Sequence, residues 1–256
     1  MKKYLEFLKD IKPRRLIAAV SCILLALVLS CMLYYSEYKF TDDKTVLSAA
    51  ITEYASHGRH KVEDAYVLET RKVDGVLIAF FKDSKNPGIY GFAKLLKGIN
   101  MRYRLVSANY RPSTYSAFVD TYRFKTSRGK YYAVGGHNLD KNIASYGIKL
   151  FDENKSDFTK DMLKFDIKNN QFLDIKKESD LQKSIEEFKG SLILFGHSDT
   201  VILNVEGNDI TESYRMPDIT DTWGAGIGTA ELFMVYVFIA IVMALGIVLA
   251  RYFLTK

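Results

Sequence analysis

The chain has 256 residues, is 48% hydrophobic and 26% charged, and carries a formal net charge of +6. Its two cysteines and four histidines leave little room for a disulfide framework or a histidine-rich catalytic or metal centre. No repeat period or low-complexity stretch marks it as fibrous or disordered.

In chain order, residues 1–15 are basic: Lys2, Lys3, Lys9, Lys12, Arg14 and Arg15 stand against only Glu6 and Asp10. An uncharged apolar run, Leu16–Tyr35, follows. A helix rises about 1.5 Å per residue and the hydrocarbon core is about 30 Å thick, so this run is just long enough to cross. Within it, Leu27-Val28-Leu29-Ser30-Cys31 resembles the lipobox of bacterial lipoproteins over this short segment only. The resemblance implies cleavage before Cys31 and a diacylglyceryl group on that residue, so Cys31 is a candidate lipidation site. Two features depart from the pattern: Leu29 is less usual two places before the cysteine, and Met32-Leu33-Tyr34-Tyr35 stays apolar where lipoproteins turn polar. The expectation is an intact transmembrane helix over residues 16–35. Cys22 and Cys31 fall on opposite faces of such a helix and cannot pair within it.

Residues 36–228 form the next block. Thr41–His57 reads as a helix capped by Thr41 or Asp42, with Val46, Leu47, Ala50, Ile51 and Tyr54 on one stripe and Gly58 as its stop. Ala65–Lys72 and Val76–Lys82 read as strands joined by an Asp74-Gly75 hairpin turn. Ile89–Lys97 is ambiguous between a short helix and a strand. Strand patterns then run from Arg102 through Ser107, Tyr115–Lys125, Tyr131–Gly135, Ile143–Phe151 and Met162–Ile167. Ser179 opens a second helix, with Gln182 completing a capping box and Leu181, Ile185 and Phe188 on its apolar stripe. Leu192–Phe195 and Val201–Val205 close the block as strands around the turn Gly196–Asp199. The expected fold class is an α+β extracytoplasmic domain, one antiparallel sheet with two helices against one face, between two transmembrane helices.

Gly224–Thr229, GAGIGT, reads as a hinge rather than a phosphate loop, because no strand-and-soluble-helix context surrounds it. Residues 229–250 form the second transmembrane helix, built on the uncharged run Leu232–Ala250, and residues 251–256 form a short tail. The tail carries Arg251 and Lys256 and no acid, whereas Met216–Glu231 carries Asp218, Asp221 and Glu231 and no base. Both flanking ends are thus cytoplasmic by charge, 36–228 lies outside a plasma membrane, and Trp223 stands near the outer headgroups. The lack of cysteine in 36–228 favours a bacterial surface over a secretory lumen. Ala240, Ala244, Gly246 and Ala250 form small-x-x-x-small pairs, a helix–helix contact with the first span or another subunit. No Asp, Glu, Lys, Arg or His interrupts either run, so the chain alone does not suggest a transport path.

Three constellations could carry chemistry. His57, His60, Glu63 and Asp64 crowd together, but Gly58 interrupts the helix that would align the histidines, and Arg59 and Lys61 oppose a cation. His197-Ser198-Asp199 holds triad residue types in a row, where neighbours cannot relay a proton to one another. The third signal is charge segregation. Lys94, Lys97, Arg102, Arg104, Arg111, Arg123, Lys125, Arg128 and Lys130 face only Asp120, for a balance of +8. Residues 199–231 carry −6. Outside a cell, these bases point to an anionic wall polymer, lipid headgroups or an acidic protein partner rather than nucleic acid. The bland alternative is a solvated strand face, with Tyr103, Tyr110, Tyr115, Phe118, Tyr122 and Phe124 packed inward. No catalytic residue, metal or cofactor is expected. The functional expectation is a non-enzymatic, membrane-anchored binding or sensing module of a bacterial envelope, with an accessory subunit of a transport or secretion complex, and then an envelope hydrolase, as alternatives.

Overall fold

The structure of the protein is a computed structural model and describes residues 12–56, 61–152, 157–186, 192–193, 200–216, 225–227 and 232–255. By its internal contacts the chain divides into two compact units. Met1–Lys39, Gly98–Arg104 and Thr229–Lys256 make the first; Phe40–Lys97 and Leu105–Gly228 make the second. Its helices are α1 (Pro13–Glu37), α2 (Lys44–Ala55), α3 (Glu178–Glu186) and α4 (Leu232–Thr255).

In the first unit, α1 and α4 are 25 and 24 residues long and apolar enough to cross a membrane. Pro13 starts α1, where its fixed φ suits a first turn and its missing N–H costs nothing. Their bulky side chains stay exposed, while Ala19, Ala26 and Ser30 of α1 and Val235, Gly246 and Ala250 of α4 are buried. A soluble core helix would bury its large residues instead. Gly246 is required by contact, since a Cβ there would lie 2.5 Å from the Ala26 Cβ. Of the small residues read as a helix-contact stripe, Gly246 and Ala250 therefore serve the contact within the chain, while Ala240 and Ala244 are exposed. Cys31 lies inside the continuous α1 with its side chain exposed.

The second unit is α+β and antiparallel. Its first sheet has the order β1 (Ala65–Val73), β2 (Val76–Asp83), β3 (Ile89–Lys97), β4 (Tyr103–Pro112) and β12 (Ala225–Ile227). A second sheet holds β5 (Phe118–Thr126), β6 (Gly129–His137) and β9 (Phe172–Lys177). In a third, β8 (Asp157–Asp166), β10 (Leu192–Ile193) and β11 (Thr200–Leu203) all pair with β7 (Ser145–Asp152).

The single sheet expected from the sequence is thus three stacked sheets, and the reason is visible in β2 and β6. Strand β2 is buried on both faces over Val76–Phe81, as is β6 over Tyr131–Gly136. A sheet with one wet face cannot accommodate such strands. Phe80 faces the second sheet, stacking with Phe118 at 6.0 Å in a core that includes Phe92, Tyr122 and Leu173. Phe81 faces the other way, toward Tyr110, whose hydroxyl donates to the Ala55 carbonyl of α2. Beyond the second sheet, Val134 packs with Tyr146 and Ile148, and Tyr132 with Leu150, Leu181 and Ile185 of α3. The layers run α2, first sheet, second sheet, third sheet.

Local chemistry explains most element boundaries. Asp43, one residue after Asp42 and two after Thr41, the expected caps, accepts from the backbone N–H groups of Thr45 (2.9 Å) and Val46 (3.1 Å) and starts α2. Asp74 (φ 47°) and Gly75 (φ 77°) make the expected tight turn. Helix α3 begins at Glu178 rather than at a Ser179 cap. Strand β3 resolves the ambiguous Ile89–Lys97, where a Cβ on Gly91 would meet the Tyr110 Cβ at 2.4 Å. Strand β9 was not foreseen. Nor was β12: Ala225–Ile227, read as part of a hinge, pairs with Ala108–Tyr110. Backbone hydrogen bonding asks for no particular side chain, so a glycine-rich segment can complete an open sheet edge.

Candidate functional site

The nine bases singled out in the sequence are separated by the fold. Arg102 and Arg104 belong to the first unit, where Arg104 Nε lies 3.0 Å from Glu37 Oε2 and Arg102 Nη1 donates to the Lys39 carbonyl at 3.4 Å. In the second unit, Arg111 Nε donates to Asp120 Oδ2 at 2.9 Å, and Asp120 is buried. Arg128 pairs with Asp74 at 3.5 Å. Lys94 is half-buried and donates to the Lys125 carbonyl at 3.0 Å, and burial holds its pKa below the ordinary lysine value. Lys97 ends β3, exposed.

What the fold does bring together is Arg123, Lys125 and Lys130 at one end of the second sheet. Strand alternation puts Arg123 and Lys125 on one face of β5, and the register sets Lys125 opposite Lys130 of β6. Arg123 grips Glu178 at the start of α3 through two bonds, of 3.1 and 2.7 Å, which raise the arginine's pKa further. Lys125 is exposed and Lys130 stands opposite it with no acid between them in the register. Like charges directly across a ladder repel, so this pair is where an anionic counterpart would bring most relief. The interleaved aromatics pack inward: Tyr103, Tyr110, Phe118, Tyr122 and Phe124 are buried, and Tyr115 lies beneath the Arg215 guanidinium at 5.3 Å.

A cleft of about 310 Å³ opens elsewhere in the second unit, between β1 and the β8–β9 connection. Glu69 and Arg71 come from β1; Asp166, Ile167, Lys168 and Asn169 from the end of β8 and its loop; Gln171, Phe172, Leu173 and Asp174 from the start of β9. Arg71 Nε donates to the Leu173 carbonyl at 3.1 Å, and Gln171 Nε2 donates to the Leu68 carbonyl at 3.1 Å and to Glu69 Oε1 at 3.4 Å. These bonds tie the first sheet to the second and hold the two charged β1 side chains in place. Phe172 forms the apolar wall and stacks on Tyr146 at 5.3 Å. The Tyr146 hydroxyl is fully buried without a hydrogen-bond partner among the described residues, and burial, then the charge of Asp174, push its pKa up. The cleft thus presents acids and bases side by side against an aromatic wall. Pockets of this volume are at the small end of those that hold small molecules. Neither the composition nor the spacing of 166–174 announced it, because its two walls lie about a hundred positions apart in the chain.

Among the histidines, His137 ends β6 with Nδ1 3.2 Å from the Tyr90 hydroxyl. Burial, then the Lys82 charge, holds its pKa below the ordinary histidine value, so the ring is neutral at neutral pH. Sequence reading did not single it out. His57 and His60, the row His197-Ser198-Asp199, and Trp223 lie outside the described residues. Among the described residues, no group of three or more His, Cys, Asp and Glu could hold a metal ion. Comparison of the chain with known protein families, with curated proteins and with solved structures finds no match in any of the three.

Proposed function

We propose that this protein is a non-enzymatic binding or sensing module of a bacterial envelope, held by α1 and α4 as membrane spans with both ends cytoplasmic and residues 36–228 outside. Its ligand is a small zwitterion taken into the cleft beside β1. The observation that carries the reading is the pairing of charges on an apolar wall. Arg71 is steadied through Nε, leaving its Nη groups for a carboxylate, and Glu69, Asp166 and Asp174 supply counter-charges for an ammonium group. Among the described residues, the cleft lining holds no serine, cysteine or histidine. The basic flanks and uncharged runs support the orientation.

The test is a thermal-shift screen of the full chain in nanodiscs against amino acids and dipeptides. A ligand at a hundred times its dissociation constant adds about 2.7 kcal/mol to stability, and Arg71→Ala and Asp174→Asn should each abolish the shift. A shift that survives both substitutions, or chemical conversion of the ligand, would sink the proposal.

A further inference from the structure

We propose that the tip of the β3–β4 hairpin is a third membrane contact, inserting Ile99 and Met101 at the hydrocarbon–headgroup boundary of the outer leaflet. This rests on the reading of α1 and α4 as membrane spans. Hairpin tips in water normally carry polar turn residues. This one presents Ile99 at 89% and Met101 at 68% relative exposure, the former the most exposed large hydrophobic residue among those described.

The first unit contains the tip together with the ends of both helices, which sets its depth relative to the spans. The Ile99 backbone N–H donates to the Tyr34 hydroxyl at 2.8 Å, and the Asn100 side chain donates to the Tyr38 carbonyl at 2.8 Å. Gly98 lies against the same two tyrosines: a Cβ there would be 2.6 Å from Tyr38 Cδ1 and 2.7 Å from the Tyr34 hydroxyl. Tyr34 lies within the uncharged run Leu16–Tyr35, so the tip backbone is held at the level where that run ends.

The surroundings are those of a membrane interface. Tyr34 stacks on Tyr38 at 4.6 Å, and the Tyr38 hydroxyl meets that of Tyr236, near the start of α4, at 3.0 Å. Tyrosines gathered at the same end of two antiparallel spans mark the headgroup level. Arg102 follows the tip, exposed and bonded to the Lys39 carbonyl, with its charge placed to reach lipid phosphate. Two apolar side chains beside a span, at the depth of its aromatic belt, with a cation next to them in the chain, are the composition of an interfacial anchor. The occupant is lipid, continuous with the lipid around α1.

The experiment uses depth-dependent quenching. In a Trp223→Phe background, which removes the natural tryptophan, single Ile99→Trp and Ile241→Trp variants of the full chain are reconstituted into phosphatidylcholine–phosphatidylglycerol vesicles, each with unbrominated vesicles as its unquenched reference. The lipids are brominated either near the headgroup end or near the methyl end of the acyl chain. For Ile99→Trp, quenching by the shallow bromines should exceed that by the deep ones, a ratio above one. At Ile241→Trp, mid-span, the ratio should fall below one. Met101→Trp repeats the measurement if Ile99→Trp does not fold. An Ile99→Trp indole as bright in brominated as in unbrominated vesicles, beside a quenched Ile241→Trp, overturns the tip contact and leaves the spans standing. An unquenched Ile241→Trp overturns the span reading, and this inference with it.

Discussion

Asp83 shows how much a single side chain can organise without advertising itself in the sequence. It is fully buried and accepts from the backbone N–H of Glu63 (2.9 Å), Asp64 (3.1 Å) and Lys85 (3.0 Å) and from the Asn86 side chain (2.8 Å). Burial alone would raise its pKa, but these bonds to the ionised form outweigh it and hold the carboxyl below the usual aspartate value. Asp83→Asn keeps the shape but loses the charge and one acceptor, and should cost about 2–3 kcal/mol at neutral pH. The linkage has a definite sign. A depressed carboxylate stabilises the fold above the unfolded pKa, near 3.9, and the stabilisation is lost as pH falls through the folded value. Thermal unfolding in detergent should therefore show the gap between wild type and Asp83→Asn narrowing below about pH 4. A gap constant down to acid pH would mean that the network does not depend on the charge. From the sequence, Asp83 is an unremarked residue just past the strand expected to end at Lys82.

At the scale of elements, periodicity was legible wherever one face was buried. Helix α2 and the β1–β2 hairpin lie within a few residues of their expected bounds, because stripe and turn chemistry are local. Strand β3 was not legible: alternation fades when both faces are covered, and Gly91 is there for the approach of Tyr110, a neighbour from another strand. The small-residue pattern of α4 was legible, but its partner was not. Gly246→Leu forces a side chain against Ala26 and should cost about 1–3 kcal/mol, the usual penalty of overpacking. Ala244→Leu, on the exposed face, should change little. Helix-pair unfolding in mixed detergent reads both, and equal effects at 244 and 246 would contradict the observed packing.

For the whole molecule, the two-span reading makes a topological prediction that charge alone motivates. In a Cys22→Ala, Cys31→Ala background, Val205→Cys, at 80% exposure, should react with an impermeant maleimide added to intact cells. Lys256→Cys should react only after permeabilisation. The reverse pattern would invert the orientation, and reaction of both in intact cells would remove the two-span topology.

The sequence by itself determined the two apolar helices, the α+β class and most element positions, since these follow from run length, local periodicity and turn residues. Tertiary structure alone decided the stacking into three sheets, the cleft between Arg71 and Asp174, the dispersal of the basic segment among separate partners, and the placing of Ile99 beside Tyr34. Each of these joins side chains far apart in the chain. Contacts of that kind depend on which faces the sheets bury against one another, and a linear pattern of residue types carries only the faces, not their partners.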